Sequence, residues 1–569
     1  MRIQLVSFLL VSLMFGLPSL LALQAQEIQT VALSDDVAFA GATFATFPAP
    51  PVINNQGEVA FDAFVAGPGL TNANNRAIFS NGAGGPLRIV ARTGDVVPSL
   101  GPNDLFGSFS TNLVINDAGQ TAFAAGFESP VPMIGIWSEG QGNGLELVAA
   151  EGEIAPGFQS AQFLEFQPIR FNNSGNVALQ ALTDNFAVGA DTLWIQNDSG
   201  ELNLVAQAGS TIAPGTNVPW TDFNFSNPAF NDSGQIAFSG AVFINPFQQF
   251  GIWRGAFDNI TAVALPGTQA PGVAAGIQFD AAINPSINSS GEVAFVSLLS
   301  GPGINGNNNA ALFSEGGGDG LSLVAQSGSA APGTGTALFQ AFFTWVLNDP
   351  GDTVFSATLT GGGIDSTNDS GVWRNSADGL SLVVRDGAPA AGTEPGVTFD
   401  LAFGGLVVNG RGQIAFSNNV TGNGINSSND SGIWAEDLDG NLNLIARQGD
   451  FLEVTDDQGN ASMRQIANVF FSGEIFATGN SDGVQRCFND SGQLTFVANF
   501  TDGSEGIFVA TIDVVLGDVN CDGEVNLLDV APFVDLISAG GFSVKADINE
   551  DGSVNLLDVA PFVALLSGG

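Results

Sequence analysis

The chain has 569 residues, 13 basic and 56 acidic, for a formal net charge of −43, with no His and no Tyr. Charge of that sign repels nucleic acid and anionic membrane surfaces and favours cations, and without His there is no Ser-His-Asp or Cys-His machinery and no His metal site. Apolar residues make up 44% and charged residues 12%, a composition that can bury a large core. There is no G-x-x-x-x-G-K-[ST] loop and the only Lys is Lys545, which argues against phosphoryl transfer.

The chain opens MRIQLVSFLLVSLMFGLPSLLALQAQ, one Arg ahead of an apolar run and small residues near Ala25. This reads as a secretory signal peptide over 1–25. The rival is a membrane anchor, against which Gly-Leu-Pro at 16–18 interrupts the run. No other stretch is long and apolar enough to span a bilayer. The expected mature protein is therefore soluble, secreted or held at a bacterial cell surface. Cys487 and Cys521 are too few for a disulfide scaffold; they either pair in an oxidising compartment or stand as two exposed thiols.

From 26 to 512 one phrase recurs eight times: INNQGEVAF (53–61), INDAGQTAF (115–123), FNNSGNVAL (171–179), FNDSGQIAF (230–238), INSSGEVAF (287–295), LNDPGDTVF (347–355), VNGRGQIAF (408–416) and FNDSGQLTF (488–496). Asn opens a type I turn and Gly three places on accepts the left-handed conformation, so each phrase is a hairpin with a four-residue connection. After it come a short strand such as GIW (135–137, 251–253, 432–434) and another such as LNLVA (202–206) or LSLVA (321–325). An Ala-Pro-Gly connection often follows, as at 213–215 and 331–333, and then a Phe-rich extended run. Four short strands per roughly 60 residues, with no helical period, predict an eight-bladed β-propeller; an open β-solenoid is the alternative. The last interval is about twenty residues too long, which places an insertion within 450–487. EIQTVAL (27–33) matches a fourth strand and GIFVATI (506–512) a third, so the opening strand is expected to close the last blade and leave no exposed edge. In QIAFSG, Ile236 and Phe238 should face one way and Ala237 and Ser239 the other, a bulky face meeting a small one. This part resembles secreted bacterial tandem-repeat proteins marked by N-x-x-G-x-x-A-F, which implies extracellular placement and supplies no catalytic residues.

With His absent, what remains for the propeller is binding or carboxylate chemistry. Four connections between second and third strands are long and rich in Asn and Gly: 67–77, 301–310, 361–371 and 422–432. They present amides to a glycan or cation, or are simply solvated loops. Glu165, Asp222, Asp280 and Asp400 lie near the starts of inner strands and would ring a channel mouth. A suitably spaced pair could hydrolyse a glycosidic bond. The stronger reading is a protein that binds a glycan or another protein; the rivals are a polysaccharide-degrading glycoside hydrolase and a purely structural envelope protein.

The tail from 513 to 569 carries DVNCDGEVNLLD (518–529) and DINEDGSVNLLD (547–558), within which VNLLDVAPFV recurs without change. Each is a twelve-residue loop with side-chain oxygen donors at positions 1, 3, 5, 9 and 12, a backbone carbonyl at 7 and Gly at 6, the ligand pattern of a calcium loop. The first set is Asp518, Asn520, Asp522, Glu524 (carbonyl), Asn526 and Asp529, and the second Asp547, Asn549, Asp551, Ser553 (carbonyl), Asn555 and Asp558. Two bound Ca2+ ions are expected. Position 12 is Asp rather than Glu, and no helix precedes either loop. Paired loop–helix units of this kind resemble the type I dockerin domain, which implies a cohesin-like partner and delivery of the chain to a surface or extracellular complex. The resemblance puts Leu527, Leu528, Leu556 and Leu557 on the recognition surface; read from the pattern alone they are core packing between two helices. Pro532 and Pro561 must either kink those helices or delay their start.

Overall fold

The computed structural model describes residues 27–566 apart from 83, 129–130, 186–189, 224–227, 245–246, 319, 472–485, 513–515, 520–524, 540–544, 547 and 549–552. The segment 1–25 expected to be a signal peptide and Cys521 therefore lie outside the described residues.

Among the described residues from Glu27 to Thr511 every regular element is a strand, and each repeat folds as an antiparallel meander. The sixth is typical: Leu338–Leu347, Thr353–Thr360, Ser370–Ser376 and Gly379–Arg385 pair in chain order. The fourth and fifth repeats merge into one nine-stranded sheet through a single parallel pair, Phe250 with Ala281. The long interval before the last phrase holds an added hairpin, Phe451–Thr455 with Ala461–Phe470, whose second strand serves as the inner strand of the final sheet. The outer strand of that sheet is Glu27–Leu33, paired antiparallel with Glu505–Thr511.

Neighbouring sheets pack face to face, and the alternation within each strand decides how. Ile236 and Phe238 join Trp220, Phe223 and Trp253 in one apolar cluster, while Ala237 joins Phe279, Ile252 and Ile287 in the next. All of Ile236, Ala237, Phe238 and Ser239 are buried. A second device explains the G-x-W triplets: a Cβ on Gly432 would lie 2.8 Å from Cη2 of Trp434, so only Gly lets the indole fold back over its own strand. The indole N–H groups then reach into the preceding repeat's Ala-Pro-Gly segment or its equivalent. Trp253, Trp373 and Trp434 donate to the carbonyls of Pro214, Pro332 and Ala391 at 2.9–3.1 Å.

The recurring Asn does what the sequence asks and more. In the first repeat, Asn54 Oδ1 accepts from the N–H groups of Gln56 and Glu58, and Gly57 has φ +77°, as the turn requires. The Asn54 amide also donates to the carbonyl of Asn116 in the next repeat. The same bond runs from Asn116 to Asn172, Asn172 to Asn231, Asn231 to Asn288, Asn288 to Asn348 and Asn409 to Asn489. Asn489 donates to Asn54 at 2.8 Å and closes the circuit. One link is missing: Asn348 Nδ2 is buried and has no partner among the described residues. An open solenoid would leave Asn489 and the strand Glu27–Leu33 without these partners; the arrangement is β-propeller-like.

The tail is helical. After a short 3-10 turn, α1 spans Val530–Ala539, and α2 spans Val559–Leu566. Pro532 and Pro561 fall in the first turns, where the missing N–H would have had no intrahelical partner, so neither breaks a helix. Phe533 and Phe562 stack at 4.1 Å between ring centroids and form the core with Ala546 and Val554. Because these rings fill the space between the helices, the leucine pairs do not pack there. Leu527, Leu528, Leu556 and Leu557 are 80, 68, 78 and 67% exposed, which corrects the core reading.

Candidate functional site

The four inner-strand carboxylates have separate surroundings. Glu165 is exposed and accepts from Gln167. Asp280 accepts from Gln249 Nε2 at 2.9 Å, a bond from the preceding repeat. Asp222 lies against Asp191, a buried residue of the preceding repeat that the sequence reading missed. Asp191 accepts from Gln180 Nε2 at 2.9 Å and from the N–H of Phe223 at 2.7 Å. Burial pushes its carboxyl up to about 6 despite those bonds, and the Asp222 charge adds to the rise. Asp400 follows Phe399, whose backbone pairs with the connection after Arg385 and so sets Asp400 beside Asp386. Among the described residues no group of three or more acidic or Cys side chains is gathered in metal-binding geometry.

Clefts of about 250 and 400 Å3 lie among the described residues of this part. The first is lined by Gln141, Glu146, Gln196 and Asp198, the second by Asn429, Arg447, Gln448 and Gln465, and neither includes any of the four carboxylates. The Asn-rich connections hold themselves together. Asn308, Asn368 and Asn429 each accept an N–H three residues back and donate to the carbonyl of Gly303, Gly363 or Gly424, so those amides are spent inside the loops. All seven tryptophans are buried, which leaves exposed Phe side chains such as Phe243 and Phe247 as the aromatic surface a ligand would meet.

A second circuit runs beside the Asn ladder. The residue after each Asn is Asp in every second repeat, at 117, 232, 349 and 490, an alternation visible in the eight phrases. Each of these Asp side chains accepts the N–H of the preceding repeat, from Asn55, Asn173, Ser289 and Gly410 respectively. Arg486, itself buried, donates to Asp117 at 3.1 Å. Burial raises the carboxyls of Asp232 and Asp490, and the Arg486 charge opposes the rise in both. The nearby Cys487 is buried, not an exposed thiol, and burial pushes its thiol up.

In the tail, Asp518, Asn526, Asp529, Ser553, Asn555 and Asp558 are described, whereas Asn520, Asp522, Glu524, Asp547, Asn549 and Asp551 lie outside the described residues. Asp529 and Asp558, at position 12 of each loop, are fully buried and accept the N–H groups of Asn526 and Asn555. The side chains of those two Asn cap the helix starts, accepting from Leu528 and Leu557. Asp518 is also buried, with the Lys545 ammonium 3.4 Å away. Buried carboxylates at the described ends of both loops fit a cation: the geometry turns them inward, and charge so placed needs a positive partner.

The profile of DUF7453, a family of unknown function, matches residues 19–216 and 210–515. The chain belongs to DUF7453. Beyond the DUF7453 region, residues 516–563 match the dockerin type I domain. Type I dockerins bind calcium and attach their proteins to cohesin-bearing partners. No curated protein matches the chain. Among solved structures, the DUF7453 chain is similar to an oligogalacturonate lyase in complex with manganese, at 14% identity and TM-score 0.33 over 69% of this chain and 86% of that one. It is also similar to the β-propeller domain of the Trilobed protease from Pyrococcus furiosus, at 10% identity and TM-score 0.35 over 72% and 100%. A third is a Penicillium chrysogenum alpha-L-arabinanase complexed with arabinobiose, at 14% identity and TM-score 0.24 over 59% and 94%. Likenesses this low say nothing about activity. Among the described residues no helix of this DUF7453 chain is long and apolar enough to cross a membrane.

Proposed function

We propose that the protein is a secreted, eight-bladed binding propeller docked by its tail to a cohesin-type partner on a cell surface or extracellular complex. The tail takes two Ca2+ ions, one per loop, through the twelve donors named above. Calcium at Asp518 displaces the Lys545 ammonium. The supporting observation is the twinned apolar surface. Leu527 and Leu528 in one half, and Leu556 and Leu557 in the other, stand exposed in the turns that lead into α1 and α2, next to the buried Asp529 and Asp558. Exposed apolar side chains repeated about a pseudo-two-fold relation suit a partner that can engage either half.

The test is binding of the full-length protein to an immobilised type I cohesin with calcium and with chelator. Capture should require calcium and should survive Leu527→Asp with Leu528→Asp, or the matching change at Leu556 and Leu557, but not both together. Calcium-independent capture, or capture by the quadruple variant, would sink the reading. For the propeller, binding on a glycan array without turnover supports the ligand role. Reducing-sugar release abolished by changing Glu165, Asp222, Asp280 or Asp400 would replace it with the hydrolase reading. The separate surroundings of those four side chains favour the first outcome.

A further inference from the structure

In several repeats the residue just before the glycine that follows the fourth strand turns its side chain back onto the start of the third strand. In the first, second and fifth repeats it caps the N–H there: Thr93 accepts from Arg76, Glu151 from Ile134 and Ser327 from Ala310, at 2.8–3.2 Å. In the sixth repeat the residue is Asp386. Its own N–H bonds to the carbonyl of Ser370, so its backbone is in register with the others. Its side chain is not: Asp386 is 2% exposed, neither carboxylate oxygen makes a hydrogen bond of ordinary length, and the neighbours that favour its charge are the Ser370 hydroxyl and the Asn418 amide.

The neighbours aggravate the problem. The backbone pair Gly387–Phe399 brings Asp400 of the next repeat alongside, and Asp369 precedes Ser370 on the other side. The charges of both Asp369 and Asp400 act on Asp386 in the unfavourable sense. The amide of Asn418, buried on the facing strand, also has an Nδ2 without a partner. Of the other buried acids of the propeller, Asp62 and Glu436 meet an arginine, Arg76 and Arg374, while Asp191 is held by the Gln180 amide and the Phe223 N–H. The basic residue next to Asp386 is committed elsewhere, since Arg385 donates to the carbonyl of Asn368. An unpaired buried carboxylate costs several kcal/mol unless it is protonated or neutralised.

We propose that the buried seam between the sixth and seventh repeats holds a calcium-type cation site, in which Asp386 and Asp400 supply the carboxylate oxygens. Waters fill the remaining positions, as hard divalent ions permit. Asn418 Nδ2 donates to the shell, and Asp369 contributes field. No other repeat whose two corresponding residues are described places carboxylates at both positions, so there is one such site in the ring.

Tryptophan makes the site separable from the tail. All seven indoles lie between 137 and 434, and the tail has neither Trp nor Tyr. Terbium bound to the full-length protein and excited through indole therefore reports the propeller. The expected result is saturable sensitised emission displaced by calcium. Asp386→Asn and Asp400→Asn should each weaken it roughly tenfold or more, and Asp529→Asn with Asp558→Asn in the tail should leave it unchanged. Asn is isosteric with Asp, and native indole fluorescence checks folding of each variant. If Asp386→Asn does not fold, Asp400→Asn, at a half-buried position, decides the matter. Absence of sensitised emission, unchanged titrations in the variants that fold, or loss of emission in the tail variant would overturn the proposal. So would an Asp386→Asn protein stabilised regardless of metal, the behaviour of a carboxyl that is simply protonated.

Discussion

Replacing Asn489 with Ala tests whether the Asn ladder holds the ring together or whether each Asn only shapes its own turn. Asn489 is fully buried and makes four bonds. Its Oδ1 accepts from Ser491 at 3.1 Å and Gln493 at 2.8 Å, and its Nδ2 donates to Asn54 at 2.8 Å and to Gln493 Oε1 at 2.9 Å. Asn348 offers an internal control. It is equally buried and opens the same turn, but its Nδ2 has no partner among the described residues, while its Oδ1 accepts from the N–H of Asp352. Pro350 removes one donor from that turn. At about 1 kcal/mol net per hydrogen bond, Asn489→Ala should cost about 4 kcal/mol and Asn348→Ala about 1 kcal/mol. Urea unfolding followed by indole fluorescence measures both, provided the slopes agree so that the midpoints compare stabilities. Asn54→Ala and Asn231→Ala should behave like Asn489→Ala, because both carry a ladder bond. If Asn348→Ala proves as damaging as Asn489→Ala, the ladder contributes nothing beyond turn formation and the reasoning fails.

Other expectations follow from the buried charges. Asp191 is more readily protonated in the folded protein, about 6 against an ordinary 3.8, so its contribution to stability falls as pH rises through that window and is flat above it. Asp191→Asn should remove up to about 3 kcal/mol of that fall, seen as a difference between the two pH–stability curves. Arg374→Met strips the partner from Glu436 and should cost about 2 kcal/mol at neutral pH, less than a fully buried pair because the guanidinium is partly exposed; the loss should shrink in acid as Glu436, raised by burial, takes up a proton. Arg486→Met should make stability fall more steeply between acid and neutral pH than in the parent, since Asp232 and Asp490, both raised by burial, lose the cation that opposes the rise. The isolated tail, 513–569, should gain its helical circular dichroism on adding calcium and lose it with chelator; full helicity without metal would count against coupled folding.

Much of the architecture lies in short-range pattern. Period-two alternation predicts which strand face is bulky and which small, and Ile236, Ala237, Phe238 and Ser239 are buried as that requires. The Asn-to-Gly phrase predicts the hairpin, and the match of Glu27–Leu33 to a fourth strand predicts where the ring closes. These features are readable because a turn or a strand face is decided by residues within a few positions of one another. The spacing of acids and glycines in the tail is local in the same way, and it points to calcium without any knowledge of packing.

What the sequence leaves open is everything set by neighbours about sixty residues away. That Asn489 would donate to Asn54, that Arg486 would serve several aspartates, and that Asp222 and Asp400 would face the buried Asp191 and Asp386 all depend on how one repeat is rotated against the next. The same holds in the tail, where identical decapeptides could have packed Leu or Phe between the helices. Stacking of Phe533 on Phe562 filled that space and turned the leucine pairs outward. Burial and charge pairing are properties of a position in three dimensions, so the chemistry of each carboxylate was decided only when the sheets packed together.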